Sequence, residues 1–154
     1  MGKEEKKFQL DEKRIKRYND KFIQFDKILK LLKEWSEEID VSTFLNETSA
    51  ERQFAIYHAF QIILEIVGDI AAMLVRDLQL VPKDDYTNVE YLKKKNIITT
   101  DLAKYVKDAN GLRNRIVHNY NGLDDQLAYK GILNLIKEIT NFVVVIKQWL
   151  KNNY

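Results

Sequence analysis

Phe54-Ala55-Ile56-Tyr57-His58-Ala59-Phe60-Gln61-Ile62-Ile63-Leu64-Glu65-Ile66-Val67-Gly68-Asp69-Ile70-Ala71-Ala72-Met73-Leu74 decides the fold. Wound at about 3.6 residues per turn, this stretch is apolar on most of its faces. A helix of that kind belongs at the centre of a protein rather than on its surface. Tyr57, Gln61, Glu65 and Asp69 recur at spacings of four and draw one polar line down the rod. Two carboxylates on an apolar helix are costly unless a cation meets them. The expectation is that Glu65 or Asp69 pairs with an arginine from a helix packed alongside. Thr48-Ser49-Ala50-Glu51 has the capping-box spacing and sets the helix start, with an end near Leu78.

Working outward, Asp11 caps a first long helix to about Glu38. Its apolar residues Ile15, Tyr18, Phe22, Phe25, Leu29 and Leu32 form one stripe, with Lys13, Arg14, Lys16 and Arg17 largely off it. That basic cluster reads as a solvated face, with contact to an RNA backbone as the minority reading. Val41 to Glu47 is a break. After the central helix, Pro82 and Asp84-Asp85 make a loop. Thr87-Asn88-Val89-Glu90 repeats the capping-box spacing and opens a short helix ending near Lys95, with Asn96 as a left-handed cap. Thr99 or Thr100 caps the next helix, which Asn121-Gly122 stops. Asp124 or Asp125 caps a last helix, about Gln126 to Lys151, with Leu127, Ile132, Ile139, Phe142 and Ile146 among its buried candidates. The fold class is all-α: an up-down helical bundle of three long helices, a motif helix and one short inserted helix. Residues 1–10 read as a frayed or disordered tail and 11–154 as a single domain.

The 154 residues carry 25 Lys and Arg against 23 Asp and Glu, a net charge of +2. This mild basicity permits nucleic acid without demanding it. The absence of cysteine excludes disulfides, thiolate zinc sites and thiol catalysis. The charged N-terminus has no apolar signal-peptide core, and the apolar run Phe142 to Ile146 is far too short to span a bilayer. A cytoplasmic protein with no membrane partner is expected.

The chemistry concentrates in Gly111-Leu112-Arg113-Asn114-Arg115-Ile116-Val117-His118-Asn119-Tyr120. Asn114 and His118 are four apart and share a helical face, so the amide can fix the imidazole tautomer. Arg113 and His118 are five apart, about 140° around the axis. They converge only if the guanidinium curls round or the helix ends near His118. Arginine presents a planar fork to phosphate oxygens, and histidine moves protons near neutral pH. Together they suit RNA cleavage without a metal, the 2′-hydroxyl attacking and arginine stabilising the charged transition state. Two histidines and no carboxylate cluster make a metal site or other cofactor unexpected. Glu65 and Asp69 are expected to orient Arg113 or Arg115. A structural salt bridge and a histidine serving as a helix C-cap are the bland alternatives. His58 reads as structural.

Arg113, four residues, His118, one residue, Tyr120 resembles the signature of the HEPN superfamily, in particular HepT toxins paired with a minimal nucleotidyltransferase (MNT) antitoxin. Glu51-Arg52, Tyr57 through Gln61 and Glu65-x-x-x-Asp69 resemble that family's second helix. Pro82, Tyr86, Leu92 and Asn96-Ile97-Ile98 resemble its middle segment. The resemblance implies a helical homodimer whose two motifs face each other across a cleft. It also implies a metal-independent endoribonuclease acting on RNA, with no DNA substrate. It makes Arg113 and His118 the catalytic pair and Asn114 the polar residue after the arginine. Tyr120 becomes the tyrosine that the antitoxin modifies by AMP transfer, blocking the cleft by charge and bulk. The competing reading is a non-catalytic subunit that binds a nucleotide or docks a nucleotidyltransferase.

Overall fold

A computed structural model describes residues 10–118 and 122–153. The tail at 1–9 and the segment 119–121, which holds Tyr120 and half of the expected Asn121-Gly122 stop, lie outside the described residues, as does residue 154. The described residues contain six α-helices and no strand: α1 Glu12–Glu37, α2 Val41–Phe44, α3 Ala50–Asp77, α4 Asp85–Lys94, α5 Thr100–His118 and α6 Asp125–Asn153.

Side-chain caps set most of the helix starts. Asp11, Asp40, Asp84 and Asp124 accept the backbone N–H groups of Arg14, Thr43, Thr87 and Leu127 at 2.7–3.0 Å, and Thr99 Oγ1 accepts that of Leu102 at 3.1 Å. Each such cap stabilises its helix by about 1 kcal/mol. The backbone N–H bonds hold the Asp40 and Asp84 carboxyls below the usual range. Neither capping box is where the spacing placed it. Asn46 accepts both the Thr48 N–H and the Thr48 hydroxyl, so Thr48 turns into a 3-10 turn, Glu47–Ser49, rather than capping α3. Asp84 reaches the Thr87 N–H first, so α4 starts at Asp85, within the stretch expected to be loop. The break after α1 also contains the one-turn helix α2. Asn96 is left-handed with φ 56°, as expected. Gln79 is too, at φ 66°, closing α3 through the bond from Leu80 N–H to the Val75 carbonyl.

Arg14 at the start of α1 meets Asp77 at the end of α3, and Arg52 at the start of α3 meets Glu38 just past α1, so the two helices run antiparallel. α3 packs on α1, α4, α5 and α6. Ile56, Phe60, Ile63, Ile70, Leu74 and Val75 along it have no exposed surface. This helix is long and apolar enough to cross a membrane by composition alone, and it packs as the central helix of the bundle with just over half of that apolar window buried. Two apolar expectations fail. Phe54 is 70% exposed and Leu127 68%, because neither lies under a neighbouring helix.

Two features position α5 and α6. Phe44 of α2 stacks on Tyr129 of α6 with ring centroids 4.1 Å apart, and the Tyr129 hydroxyl donates to the Ser36 and Ile39 carbonyls left open past the end of α1. Gly131 lets α5 approach α6 closely: a Cβ there would lie 2.9 Å from Leu112 Cδ2.

Candidate active site

The motif is helical from Gly111 to His118, the last described residue before the segment 119–121. Leu112 and Ile116 are buried and hold the helix against its neighbours. That register leaves Arg113, Asn114 and Val117 partly covered, and Arg115 and His118 exposed. Arg113 and His118 therefore leave the helix on different sides, about 140° apart.

Arg113 sits at the seam between α5 and α4, with its side chain 20% exposed. Its Nη2 donates to Asp85 Oδ2 at 3.3 Å, and its Nε is buried without an acceptor. Asp85 is the residue that the sequence reading missed. It lies 28 positions from Arg113, in a stretch taken for loop. Its carboxylate rests against α3 at Gly68, where a Cβ would lie 2.9 Å from Asp85 Oδ1. A glycine on the central helix, an acid at the start of α4 and the arginine of α5 thus stand in series. The signal available in the sequence was Gly68 itself, an unexplained helix-interior glycine that often marks a close approach.

The expected partners of Arg113 and Arg115 are elsewhere. Glu65 is exposed and accepts from Gln61 on its own helix at 3.1 Å. Asp69 is 56% exposed and pairs with Lys21 of α1 at 2.7 Å. The polar line of α3 is therefore no buried seam. α3 does pack against α5, but its Glu65 and Asp69 edge faces α1 and solvent. Of that line only Tyr57 is buried, donating to Asp125 at the start of α6. Burial and the neighbouring carboxylate push its hydroxyl far above the usual phenol range. His58 is exposed and has no role in the core.

Arg115 points to the other side of α5. It lines a cavity of about 330 Å³ with Tyr86, Lys107, Gly111 and Leu127. The α4–α5 seam beside it is closed by Lys107, which bonds Glu90, while Lys93 holds the same acid at 2.9 Å. These two ammonium groups lower the Glu90 carboxyl to about 2. Asn110, one turn before Asn114, is 2% exposed and its Oδ1 has no hydrogen-bond partner. Among the described residues no group of three His, Cys, Asp or Glu side chains gathers closely enough to hold a metal ion.

Comparison with known proteins shows the family and the fold. The sequence model of the family described as "Ribonuclease HepT-like" matches residues 25–146. A tRNA nuclease HepT from Aphanizomenon flos-aquae is 30% identical over 117 residues, 74% of this chain and 77% of that protein. An Archaeoglobus fulgidus protein provisionally named an RNase is 40% identical over 88 residues, 57% of this chain and 67% of that protein. Among solved structures, the tri-AMPylated Shewanella oneidensis HEPN toxin in complex with its MNT antitoxin superposes with a TM-score of 0.76 at 24% identity. It covers 90% of this chain and 99% of that one. That likeness is one of fold.

Proposed function

Because the chain belongs to the HepT-like ribonuclease family, we propose that it is a metal-independent endoribonuclease, the toxin of a toxin–antitoxin pair. The observation that carries the reading is Arg113 itself. Its side chain is mostly buried at a helix seam, yet among the described residues it is held by a single long bond from one of its nitrogens. The structural pair Arg14–Asp77 is much shorter, at 2.6 Å. The Nη N–H groups that Asp85 does not take are the ones offered to the non-bridging oxygens of a phosphodiester, in the planar, charge-assisted geometry of arginine.

The reaction is transesterification. The ribose 2′-hydroxyl gives up its proton to solvent as its oxygen attacks the adjacent phosphorus, the bond from phosphorus to the 5′-oxygen breaks, the leaving oxygen takes up a proton, and a 2′,3′-cyclic phosphate and a 5′-hydroxyl result. Arg113 stabilises the extra negative charge on the phosphorane-like transition state. His118, exposed at the end of α5, moves the proton at the leaving 5′-oxygen. Asn114, one turn before it, orients the imidazole. Because Arg113 and His118 diverge around α5, a homodimer that sets two motifs face to face supplies the pair most directly. The partner proposed is an MNT antitoxin, by analogy with the HEPN toxin complex, and Tyr120 is the hydroxyl offered to AMP transfer.

The test is cleavage of RNA by the purified protein in EDTA, with Arg113→Ala and His118→Ala compared. Cyclic-phosphate ends from the wild type, and loss of cleavage in both variants with unchanged thermal unfolding, are expected. Undiminished cleavage by His118→Ala would overturn the mechanism. No cleavage by wild-type protein that still binds a nucleotidyltransferase would favour the non-catalytic subunit instead.

A further inference from the structure

A furrow runs between α1 and α3, away from the motif. Two cavities open along it, of about 450 and 330 Å³, on either side of the Lys21–Asp69 ion pair that both share. The α1 bank carries Arg14, Arg17, Lys21 and Lys27, the first three at spacings of three and four and so along one helical stripe. The α3 bank carries Glu65, Asp69 and Arg76.

The charge along the furrow is uneven. At the smaller cavity, Lys21 and Lys27 face Glu65 and Asp69, two against two. At the larger one, Arg14, Arg17, Lys21 and Arg76 line the wall against Asp69 alone. Asp77 beneath neutralises Arg14. Arg17 and Arg76 form no ion pair among the described residues. Two unneutralised guanidinium groups thus flank one concave end. Such groups on facing banks suit a chain of phosphates better than an apolar or cationic ligand.

That end also borders the approach to α4. Ala72 and Pro82 line it. Ala72 is one helical turn, about 6 Å of rise, from Gly68. Gly68 carries the Asp85 carboxylate, which holds Arg113. Pro82 lies three residues before Asp85 on the approach to α4. The cationic end of the furrow and Arg113 are therefore two sides of one junction of α3 with α4.

We propose that this end of the furrow binds the sugar–phosphate backbone of the RNA strand beyond the scissile phosphate, with Arg17 and Arg76 as the phosphate-contacting side chains. The proposal rests on the ribonuclease reading for its substrate, and it extends that site by a second contact region. It explains why α1 carries its arginines toward α3 rather than on its outer face. Phosphate contacts of this kind fix the path of a strand without reading its bases.

Binding separates this proposal from catalysis. A fluorescein-labelled 2′-O-methyl oligoribonucleotide has no 2′-hydroxyl nucleophile, so wild-type protein binds it without cutting it. Fluorescence anisotropy between 50 and 400 mM KCl then gives affinity and its salt dependence. Arg17→Ala and Arg76→Ala should each weaken binding about 3–10-fold. The double variant should flatten the plot of log Kd against log salt by about 1.4, since each single-strand phosphate contact contributes about 0.7. Lys33→Ala, on the outer face of α1, should bind as wild type does. Because Arg17 and Arg76 hold no ion pair, thermal unfolding should not change.

If both arginine variants keep the wild-type Kd and slope, or if wild-type protein binds no RNA, the proposal falls. If they bind RNA normally and lose affinity for a nucleotidyltransferase, the furrow is a protein interface and the proposal falls as well. Cleavage of ordinary RNA by the same proteins tests the other reading independently. Binding that weakens in the variants while no protein cleaves keeps the furrow and removes the nuclease; cleavage with unchanged binding does the reverse.

Discussion

Two arginines of this molecule face aspartates across helix seams, and they are held very differently. Arg14 donates to Asp77 at 2.6 Å, and the other oxygen of Asp77 accepts the Tyr18 hydroxyl at 2.6 Å. Asp77 is 10% exposed, so the triad is closed. Arg113 donates to Asp85 at 3.3 Å, Asp85 is 39% exposed, and among the described residues no second side chain joins them. Both arginines bury an Nε without an acceptor. The first pair is committed to joining α1 to α3. The second leaves an arginine positioned but unsaturated, which is the state a phosphate-binding group requires before its ligand arrives.

The strongest test of that contrast is activity. Arg113→Ala should lower kcat/KM for RNA by about 100-fold or more, through loss of charge stabilisation in the transition state. Arg14→Ala, with an equal change in charge, should leave kcat within about 3-fold. Equal losses in the two would erase the distinction.

Stability should show the reverse order. Asp77→Ala strands Arg14 and the Tyr18 hydroxyl at a nearly closed seam, and should cost about 2–4 kcal/mol in denaturant unfolding. Asp85→Ala should cost less than about 1 kcal/mol, because the acid is partly solvated and its bond is long. Its effect belongs in kcat, which should fall about 3–10-fold as Arg113 loses its only fixed partner. A larger stability loss at Asp85 than at Asp77 would show that the second pair is structural too.

A finer test uses pH. Burial, then the bond to Asp77, pushes the Tyr18 hydroxyl far above the usual phenol range. Its folded pKa is raised, so its stabilising contribution is complete below the unfolded value of about 10 and is lost as pH rises beyond it. Tyr18→Phe should be about 1 kcal/mol weaker near neutral pH. Its stability should also fall less steeply than that of the wild type above about pH 10. The smallest effect is expected at the α4–α5 seam. Glu90 is lowered to about 2, so its contribution is present above the unfolded carboxylate value and disappears as pH falls toward 2. The Tm difference between wild type and Glu90→Gln should shrink over that range in a scan of thermal unfolding.

The architecture was legible because its signals are local. Apolar spacing marked the long helices, while Asp11, Thr99, Asp124 and Asn96 marked ends within a residue or two of those observed. The errors share a physical origin. Asn46 and Asp84 each lie upstream of a capping box and reach the backbone N–H first, so the box that opens two or three residues later is left without a cap to make. The polar line on α3 was legible as a line but not as an exposed one. Periodicity reports which residues share a stripe, and only tertiary packing decides which stripe stays uncovered. The types and spacing of Arg113, Asn114 and His118 singled them out as candidates, and all three lie on α5. The partner of Arg113 was not, since nothing in the chain links position 85 to position 113 until α4 folds against α5 and Gly68 makes room for the carboxylate.

Gly131 carries a consequence for control of the protein by design. The absence of a side chain there seats Leu112, the residue directly before Arg113, 2.9 Å from where a Cβ would stand. An alanine at 131 would oblige Leu112 to rotate, a rotamer adjustment of about 1 kcal/mol. That strain would reach the guanidinium through the backbone of the same helical turn, without altering any side chain of the motif. Graded substitutions at this one position on α6 therefore offer a series of proteins with an intact motif, in which the setting of Arg113 could be changed by degree rather than abolished.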